Sequence, residues 1–136
     1  MNITDIKSKI NSGAYDSSFT MLYGDTTAAR SRYLKALESF ESIYGERDGI
    51  RLFSAPGRTE VGGNHTDHQH GCVLAGGVNL DVIAVVAPNG DGKTRIKSEG
   101  YDMDVVDLNE LEKDPSENGR ASALIRGVLS SFKKLG

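Results

Sequence analysis

Residues 54–71 read Ser-Ala-Pro-Gly-Arg-Thr-Glu-Val-Gly-Gly-Asn-His-Thr-Asp-His-Gln-His-Gly, and the rest of the chain is organised around them. Four glycines alternate here with polar and charged side chains, and no apolar run is long enough to anchor the stretch in a core. Ordering each residue costs about 1–2 kcal/mol of backbone entropy, which a bound ligand can offset. Gly62 and Gly63 allow a sharp bend that presents the side chains after them. We therefore predict a binding site in this stretch.

Segments with the residue pattern of β-strands lie on both sides of the polar stretch. Residues 50–55 alternate weakly and end at Pro56, which predicts a strand that delivers Gly57 and Arg58 at its exit. Residues 79–87 are apolar on both faces, which favours a central position in a sheet. Three further strands are predicted at residues 72–75, 93–98 and 103–108, the last two as an antiparallel hairpin after the turn-forming residues 88–92.

Helical periodicity accounts for most of the remainder. Helices are predicted over residues 3–11, from a cap at Asp25 or Thr26 to about Tyr44, and from about Asp114 to the last turn, with a loop or a helical turn at residues 14–24. The expected apolar anchors are Phe19, Met21 and Leu22, then Tyr33, Leu37, Phe40 and Tyr44, then Leu124, Val128, Phe132 and Leu135, with Gly127 close to the sheet. The opposite face of the long helix is expected to be solvated at Arg32, Lys35, Glu38 and Glu41. Strands followed by a helix laid across them predict an α+β layer fold.

Composition excludes several classes of protein. The 136 residues carry a formal net charge of −3, and no block of Lys or Arg contradicts the expectation that the chain does not bind nucleic acid. No apolar run reaches the roughly 20 residues of a membrane helix, and the first residues lack the pattern of a signal peptide. The single cysteine, Cys72, excludes an internal disulfide. A cytoplasmic location is expected.

The central stretch resembles the sugar-binding signature of galactokinases, in the superfamily of galacto-, homoserine, mevalonate and phosphomevalonate kinases. The family pattern is Pro-Gly-Arg-x-Asn-x-x-Gly-Glu-His-x-Asp-Tyr, followed within a few residues by glycine and an apolar strand. The matching positions are Pro56, Gly57, Arg58, Gly63, His65, Asp67 and Gly71, followed by Cys72-Val73-Leu74. These residue types at these spacings are specific, whereas a lone Gly-x-Gly is weak.

Three positions depart from the family pattern. Glu60 stands in place of the family's Asn, Asn64 in place of its Glu, and His68 in place of its Tyr. The first two departures exchange an amide and a carboxylate between neighbouring positions. If both side chains face one pocket, the pocket keeps its set of polar groups. The alternative is a divergent branch with an altered sugar preference.

The resemblance implies a role for each matching polar residue. Arg58 would stand near the reacting hydroxyl and the transferred phosphate and is assigned as catalytic, since a guanidinium stays charged and its planar fork matches phosphate oxygens. An ion pair of Arg58 that only braces the loop is the alternative. The residues assigned to sugar binding are Glu60, Asn64, His65 and Asp67.

The resemblance also implies the architecture and the cofactors. It implies the N-terminal domain of a two-domain small-molecule kinase, of a type also seen in ribosomal proteins, with helices packed on one side of the strands. Residues 1–24 would be a helical extension and residues 25–136 the sugar-binding part. The substrates would be ATP, with Mg²⁺, and galactose or a similar sugar.

The ATP side of such a site is missing from the sequence. There is no Gly-x-x-x-x-Gly-Lys-Ser/Thr loop and no Pro-x-Gly-x-Gly-Leu-Ser-Ser-Ser loop of the kind found in the family. The one Gly-x-Gly, Gly90-Asp91-Gly92, is expected in a hairpin turn with no following helix. The chain is therefore expected to be an N-terminal fragment that is inactive alone, with the ATP site and the catalytic base beyond Gly136.

Two other functions are compatible with the same residues. His65, His68 and His70 lie with Asp67 within six residues, a spacing that can bind zinc in a loop. No second ligand cluster lies at a distance to complete such a site, so no metal site is assigned. The other alternative is a non-catalytic sugar sensor derived from a kinase, which the three departures allow.

Overall fold

A computed structural model describes residues 1–63 and 69–136, which divide into two compact units, 1–88 and 89–136. The described elements of the first unit are α1 (Ile3–Asn11), α2 (Asp16–Tyr23), α3 (Thr26–Tyr44), β1 (Arg51–Gly62) and β2 (Leu74–Val86). Those of the second unit are β3 (Lys93–Lys97), β4 (Met103–Asp107), a 3₁₀ turn (Pro115–Glu117) and α4 (Ala121–Leu135). β1 pairs antiparallel with β2, and β3 pairs antiparallel with β4. The α+β class is as predicted, whereas the division at residue 24 stays a prediction.

The two helices with clear caps lie where the sequence places them. In α1 the Asn2 side chain accepts a hydrogen bond from the Asp5 N–H at 2.8 Å. In α3 the Asp25 side chain accepts from the N–H groups of Thr27 and Ala28 at 2.8 and 3.3 Å. These bonds satisfy amide groups that have no partner within a helix, so the local sequence sets both start points. The buried core of the first unit consists of Ile3, Ile6, Ile10, Phe19, Ala29, Tyr33, Leu37 and Ile50.

α2 replaces the expected loop or helical turn at residues 14–24. Phe19 is buried, and its ring centroid lies 5.1 Å from that of Tyr33. Met21 and Leu22, expected to be anchors beside Phe19, are exposed. The helical period explains the error for Met21, because the position two residues after Phe19 is turned away from the face that packs on α3. Leu22, three residues after Phe19, is 47% exposed although its position is close to that face.

The β1–β2 hairpin is longer and more regular than predicted. β1 continues through Pro56 to Gly62, and the segments expected as two strands form the single strand β2. Register shifts between Pro56 and Arg58 and between Glu60 and Gly62 accommodate the irregular residues. The predicted end of the strand at Pro56 is therefore wrong, because Pro56 keeps a register partner in Asp81 and the extra residues of the following shift lie on β2.

β2 does not have the predicted central position within the described residues, where it pairs with β1 alone. Ile83 and Val85 pack against the helical core, while Leu80 and Val82 on the opposite face are exposed. The apolar character of both faces is thus real, but the described residues cover only one of them.

The second unit contains the predicted antiparallel hairpin, with Val106 of β4 buried. α4 begins at Ala121, later than expected, because Gly119 adopts a positive φ of 78° after the 3₁₀ turn. The apolar face expected to anchor α4 is exposed at Leu124, Val128, Phe132 and Leu135. A Cβ built on Gly127 would have no neighbour within 4 Å among the described residues, so this glycine does not lie against a sheet as expected.

The Gly90-Asp91-Gly92 segment connects β2 to β3. Within the described residues β2 pairs with β1 and β3 pairs with β4, so the two connected strands do not pair with each other. The expectation of a hairpin turn at this position is therefore wrong. In the part of the chain that the structure describes, no helix is long and apolar enough to cross a membrane.

Candidate functional site

Arg58 and Glu60 lie on β1, not in a loop as the polar stretch suggested. Arg58 pairs with Gly77 and Glu60 pairs with Ala75 on β2. Both residues are exposed, and their separation by two positions places their side chains on the same face of the strand. The structure thus brings together two of the five predicted site residues on one regular element.

The chain bends sharply immediately after β1. Gly63 has a φ of 115°, and a Cβ at this position would lie 2.7 Å from both the Cys72 carbonyl oxygen and the Val73 Cα. Only glycine allows this backbone conformation together with so close an approach of the two segments. The predicted bend is therefore present at Gly63, while Gly62 is the last residue of β1.

The other predicted substrate-binding residues, Asn64, His65 and Asp67, lie outside the described residues, and their roles stay predictions. The same holds for His68, which the zinc hypothesis requires. His70 is described and exposed, with a positive φ of 61°. Among residues 1–63 and 69–136, no group of three or more His, Cys, Asp or Glu residues could hold a metal ion.

A buried carboxylate on β2, Asp81, was not recognised from the sequence. The Asp81 side chain is only 8% exposed and accepts hydrogen bonds from the Tyr23 hydroxyl at 2.7 Å and the Ser54 hydroxyl at 2.5 Å. Arg32 donates to the same carboxylate and, at 2.7 Å, to the Asp81 backbone carbonyl. We call these four residues the Asp81 cluster.

The Asp81 cluster corrects the prediction that Arg32 belongs to a solvated face. Arg32 directly precedes Tyr33, whose side chain is buried, and it therefore sits at the border of the packed face of α3. A lone aspartate in the apolar run of β2 was the signal available in the sequence, because carboxylates are rarely buried without a partner. The sequence could not identify the partner, which is 49 positions away.

The partners of Asp81 keep it ionised. Burial by itself would raise the pKa of Asp81, but hydrogen bonds from Ser54, Tyr23 and Arg32, together with the charge of Arg32, lower this pKa to about 2. Burial and the hydrogen bond with Tyr23 raise the pKa of Tyr33, so that hydroxyl stays protonated. At neutral pH the cluster is therefore a carboxylate held by one cation and two hydroxyl groups.

We expect the contribution of Asp81 to stability to disappear in acid. The ordinary pKa of 3.8 falls to about 2 in the folded chain, so the stabilisation is present above pH 4 and is lost as the pH falls towards 2. A difference of this size corresponds to about 2 kcal/mol. Urea unfolding of the wild type and of Asp81→Asn should show the gap between them shrinking by this amount from pH 6 to pH 2. A gap that stays constant over that range would contradict the assignment.

Comparison with known proteins shows which proteins this chain is similar to. Residues 38–88, which include the end of α3 and the whole of β1 and β2, match the family model of the galactokinase galactose-binding signature. The galactokinase of Bacillus subtilis is 39% identical over 62 residues, covering 46% of this chain and 16% of that protein. That of Streptomyces coelicolor is 32% identical over 100 residues, covering 73% of this chain and 25% of that protein. That of Lactobacillus helveticus is 34% identical over 100 residues, covering 72% of this chain and 26% of that protein.

No solved structure matches the chain. The alignments span between 16% and 26% of the length of these three relatives. The fold and the comparison define an α+β region in which β1 and β2 lie within the residues that match this signature. The chain is a relative of the galactokinases, and the predicted resemblance to the N-terminal portion of that family is confirmed.

Proposed function

We propose that this chain is the N-terminal, sugar-binding part of a galactokinase-like enzyme that transfers the γ-phosphate of ATP to the C1 hydroxyl of galactose or a related sugar. The observation that carries the proposal is the match of residues 38–88 to the galactose-binding signature. In the structure the matched residues include the antiparallel pair of β1 and β2, with Arg58 and Glu60 on β1 and the tight bend at Gly63 directly after it. The names of the relatives support the same activity.

The residues of the hairpin and of the segment after it divide between two tasks. Arg58 would lie beside the transferred phosphate and offset the charge that spreads over its oxygens. Asp67 can accept hydrogen bonds from two adjacent hydroxyls, and His65 can donate or accept one, with Glu60 and Asn64 completing the sugar site. An epimer that misplaces one hydroxyl leaves a buried polar group unpaired, which costs about 1–3 kcal/mol and selects one sugar over another.

ATP and Mg²⁺ would be held by residues outside this chain. Among the described residues, the Gly90–Gly92 segment precedes a strand, so it lacks the helix N-terminus that glycine-rich phosphate loops require. The outer face of β2 in the first unit and the apolar face of α4 in the second are each exposed, and each offers an apolar surface on which further polypeptide can pack. We therefore propose a two-domain kinase in the cytoplasm, of which these residues alone are inactive.

The proposal is tested on the full-length protein that contains this chain. Galactose-dependent release of ADP from ATP is expected, with galactose 1-phosphate as the product, and the 136 residues alone should show no turnover. Galactose binding without any turnover by the full-length protein would favour the non-catalytic sensor. Equilibrium dialysis against zinc tests the third possibility, a zinc-binding loop. Sub-micromolar zinc binding that is abolished by His68→Ala and His70→Ala would support that loop, because the proposed kinase activity does not require it.

Relative to the family pattern, the carboxylate and the amide have traded positions at Glu60 and Asn64, and this difference leads to a further prediction. If both face one pocket, Glu60→Asn and Asn64→Glu should each weaken galactose binding by about tenfold or more, and the double variant should recover most of the affinity. Isothermal titration calorimetry on the four proteins measures this coupling. Additive losses in the double variant would show that the two side chains act separately and would favour an altered sugar preference.

A further inference from the structure

The Asp81 cluster lies at the first register shift of the hairpin. Asp81 is the register partner of Pro56, and the register shifts between Pro56 and Arg58. Ser54, which donates to the Asp81 carboxylate, lies two residues before this proline on β1. The cluster therefore connects the part of β1 before this shift to β2 and, through Tyr23 and Arg32, to α2 and α3.

Side-chain hydrogen bonds matter at this position because the backbone of β1 contributes fewer hydrogen bonds to β2. Proline has no N–H to contribute to the ladder, so Pro56 cannot donate to β2. Gly57 passes close to β2, and a Cβ on it would lie 3.0 Å from Val78 Cγ2. Gly57 alone faces residues 78–80 of β2, so the bulge belongs to β2, and the charged hydrogen bonds of Asp81 lie at its edge.

Among the described residues, the β2 partners of the segment that carries the predicted catalytic residue are small. Arg58 and Thr59 pair with Gly77 and Gly76, which have no side chains to pack. Within the described part of the chain, a Cβ built on either glycine would have no neighbour within 4 Å, and residues 53–62 of β1 are exposed along their whole length. Residues 58–60 therefore rely on the backbone pairing of β1 with β2, and the Asp81 cluster lies at the register shift directly before them.

We infer that Asp81, held by Arg32, Tyr23 and Ser54, is a positioning residue that fixes the register of β1 and thereby places Arg58 and Glu60 for sugar binding and phosphoryl transfer. The inference rests on the proposed function for the role of Arg58 and Glu60. Asp81 itself acts through the strand and not on the substrate. It is buried against the helices, and its carboxylate oxygens are used by the other members of the cluster.

The experiment compares Asp81→Asn with Asp16→Asn in the 136-residue chain. Asp16 is a matched control because it accepts from Arg30 of α3 at 2.8 Å, as Asp81 accepts from Arg32, but it belongs to α2. Hydrogen exchange of the backbone amides of residues 58–60, normalised to global stability, should rise at least tenfold in Asp81→Asn and not in Asp16→Asn. The dissociation constant for galactose, measured by calorimetry, should rise at least fivefold in Asp81→Asn alone.

A second pair of variants tests the role of Arg32. Arg32→Lys keeps a cation beside Asp81, so it should retain part of the galactose affinity that Arg32→Met loses. Equal losses in the two variants would overturn the role of the charge.

Each outcome of the main comparison decides the inference. Unchanged exchange at residues 58–60 in Asp81→Asn would overturn it, as would faster exchange with wild-type galactose affinity. If the wild-type chain and the full-length protein both fail to bind galactose, the proposed function fails instead. The exchange data would then still decide whether Asp81 holds the strand.

Discussion

Arg58→Ala in the full-length protein is expected to lower the turnover of galactose and ATP by roughly 100-fold or more, with a much smaller change in galactose affinity. The proposed role of Arg58 is to offset charge that develops on the transferred phosphate, and this charge is absent when the sugar alone is bound. Losing such an interaction lowers kcat and leaves ground-state binding nearly intact. Steady-state kinetics together with calorimetric binding of galactose measure the two effects separately.

Two further variants show whether the effect is specific. Arg51→Ala is the matched control, because Arg51 is also an exposed arginine of β1 but lies at the start of the strand. It should leave turnover within about twofold of the wild type. Asp67→Ala should show the opposite pattern to Arg58→Ala, with galactose binding weakened most. Small and equal effects of Arg58→Ala and Asp67→Ala would remove both role assignments.

Leu37→Ala is expected to destabilise the first unit by about 2–5 kcal/mol. Leu37 is 0% exposed in the middle of α3 and belongs to the core cluster that α1, α2 and α3 share. Removing its side chain loses the transfer free energy of the buried atoms and leaves a cavity that close-packed neighbours fill only in part. Urea unfolding followed by circular dichroism measures the change.

Leu80→Ala is the matched control for Leu37→Ala. Leu80 belongs to the same unit but is 77% exposed on the outer face of β2, so its replacement should cost less than about 1 kcal/mol in the isolated chain. A loss for Leu37→Ala as small as that for Leu80→Ala would contradict the described core.

The helices with local signals were predictable from the sequence. α1 and α3 each combine a capping side chain, a repeat of apolar residues and a glycine shortly after the last turn, with positive φ at Gly13 and Gly45. These signals act within a few residues of chain, so no knowledge of the tertiary contacts is needed. At α2 the local signal was weaker and the predicted extent was wrong, whereas the cap predicted for the last helix, Asp114, begins the 3₁₀ turn that precedes α4.

The candidate site was predictable in composition but not in position. Arg58, Glu60 and Gly63 stand out through residue type and spacing, yet the sequence placed the first two in a loop. Glycine and proline usually interrupt strands, and pairing partners on a distant segment decide whether a bulge absorbs them. The pairing of Arg58 with Gly77 and of Glu60 with Ala75 decided the outcome here.

The sequence by itself determined which residues of this protein are specialised: the polar, glycine-rich stretch at residues 54–71, its resemblance to the galactokinase signature, and the helices on either side of α2. Only the tertiary structure decided that Arg58 and Glu60 lie on a continuous strand, and that Asp81 and Arg32 meet across 49 positions beside it. Residue type and local spacing carry the first kind of information because they act over one or two turns of chain. Strand register and buried charge pairs depend on which distant segments come together, and that choice is made by packing of the whole unit.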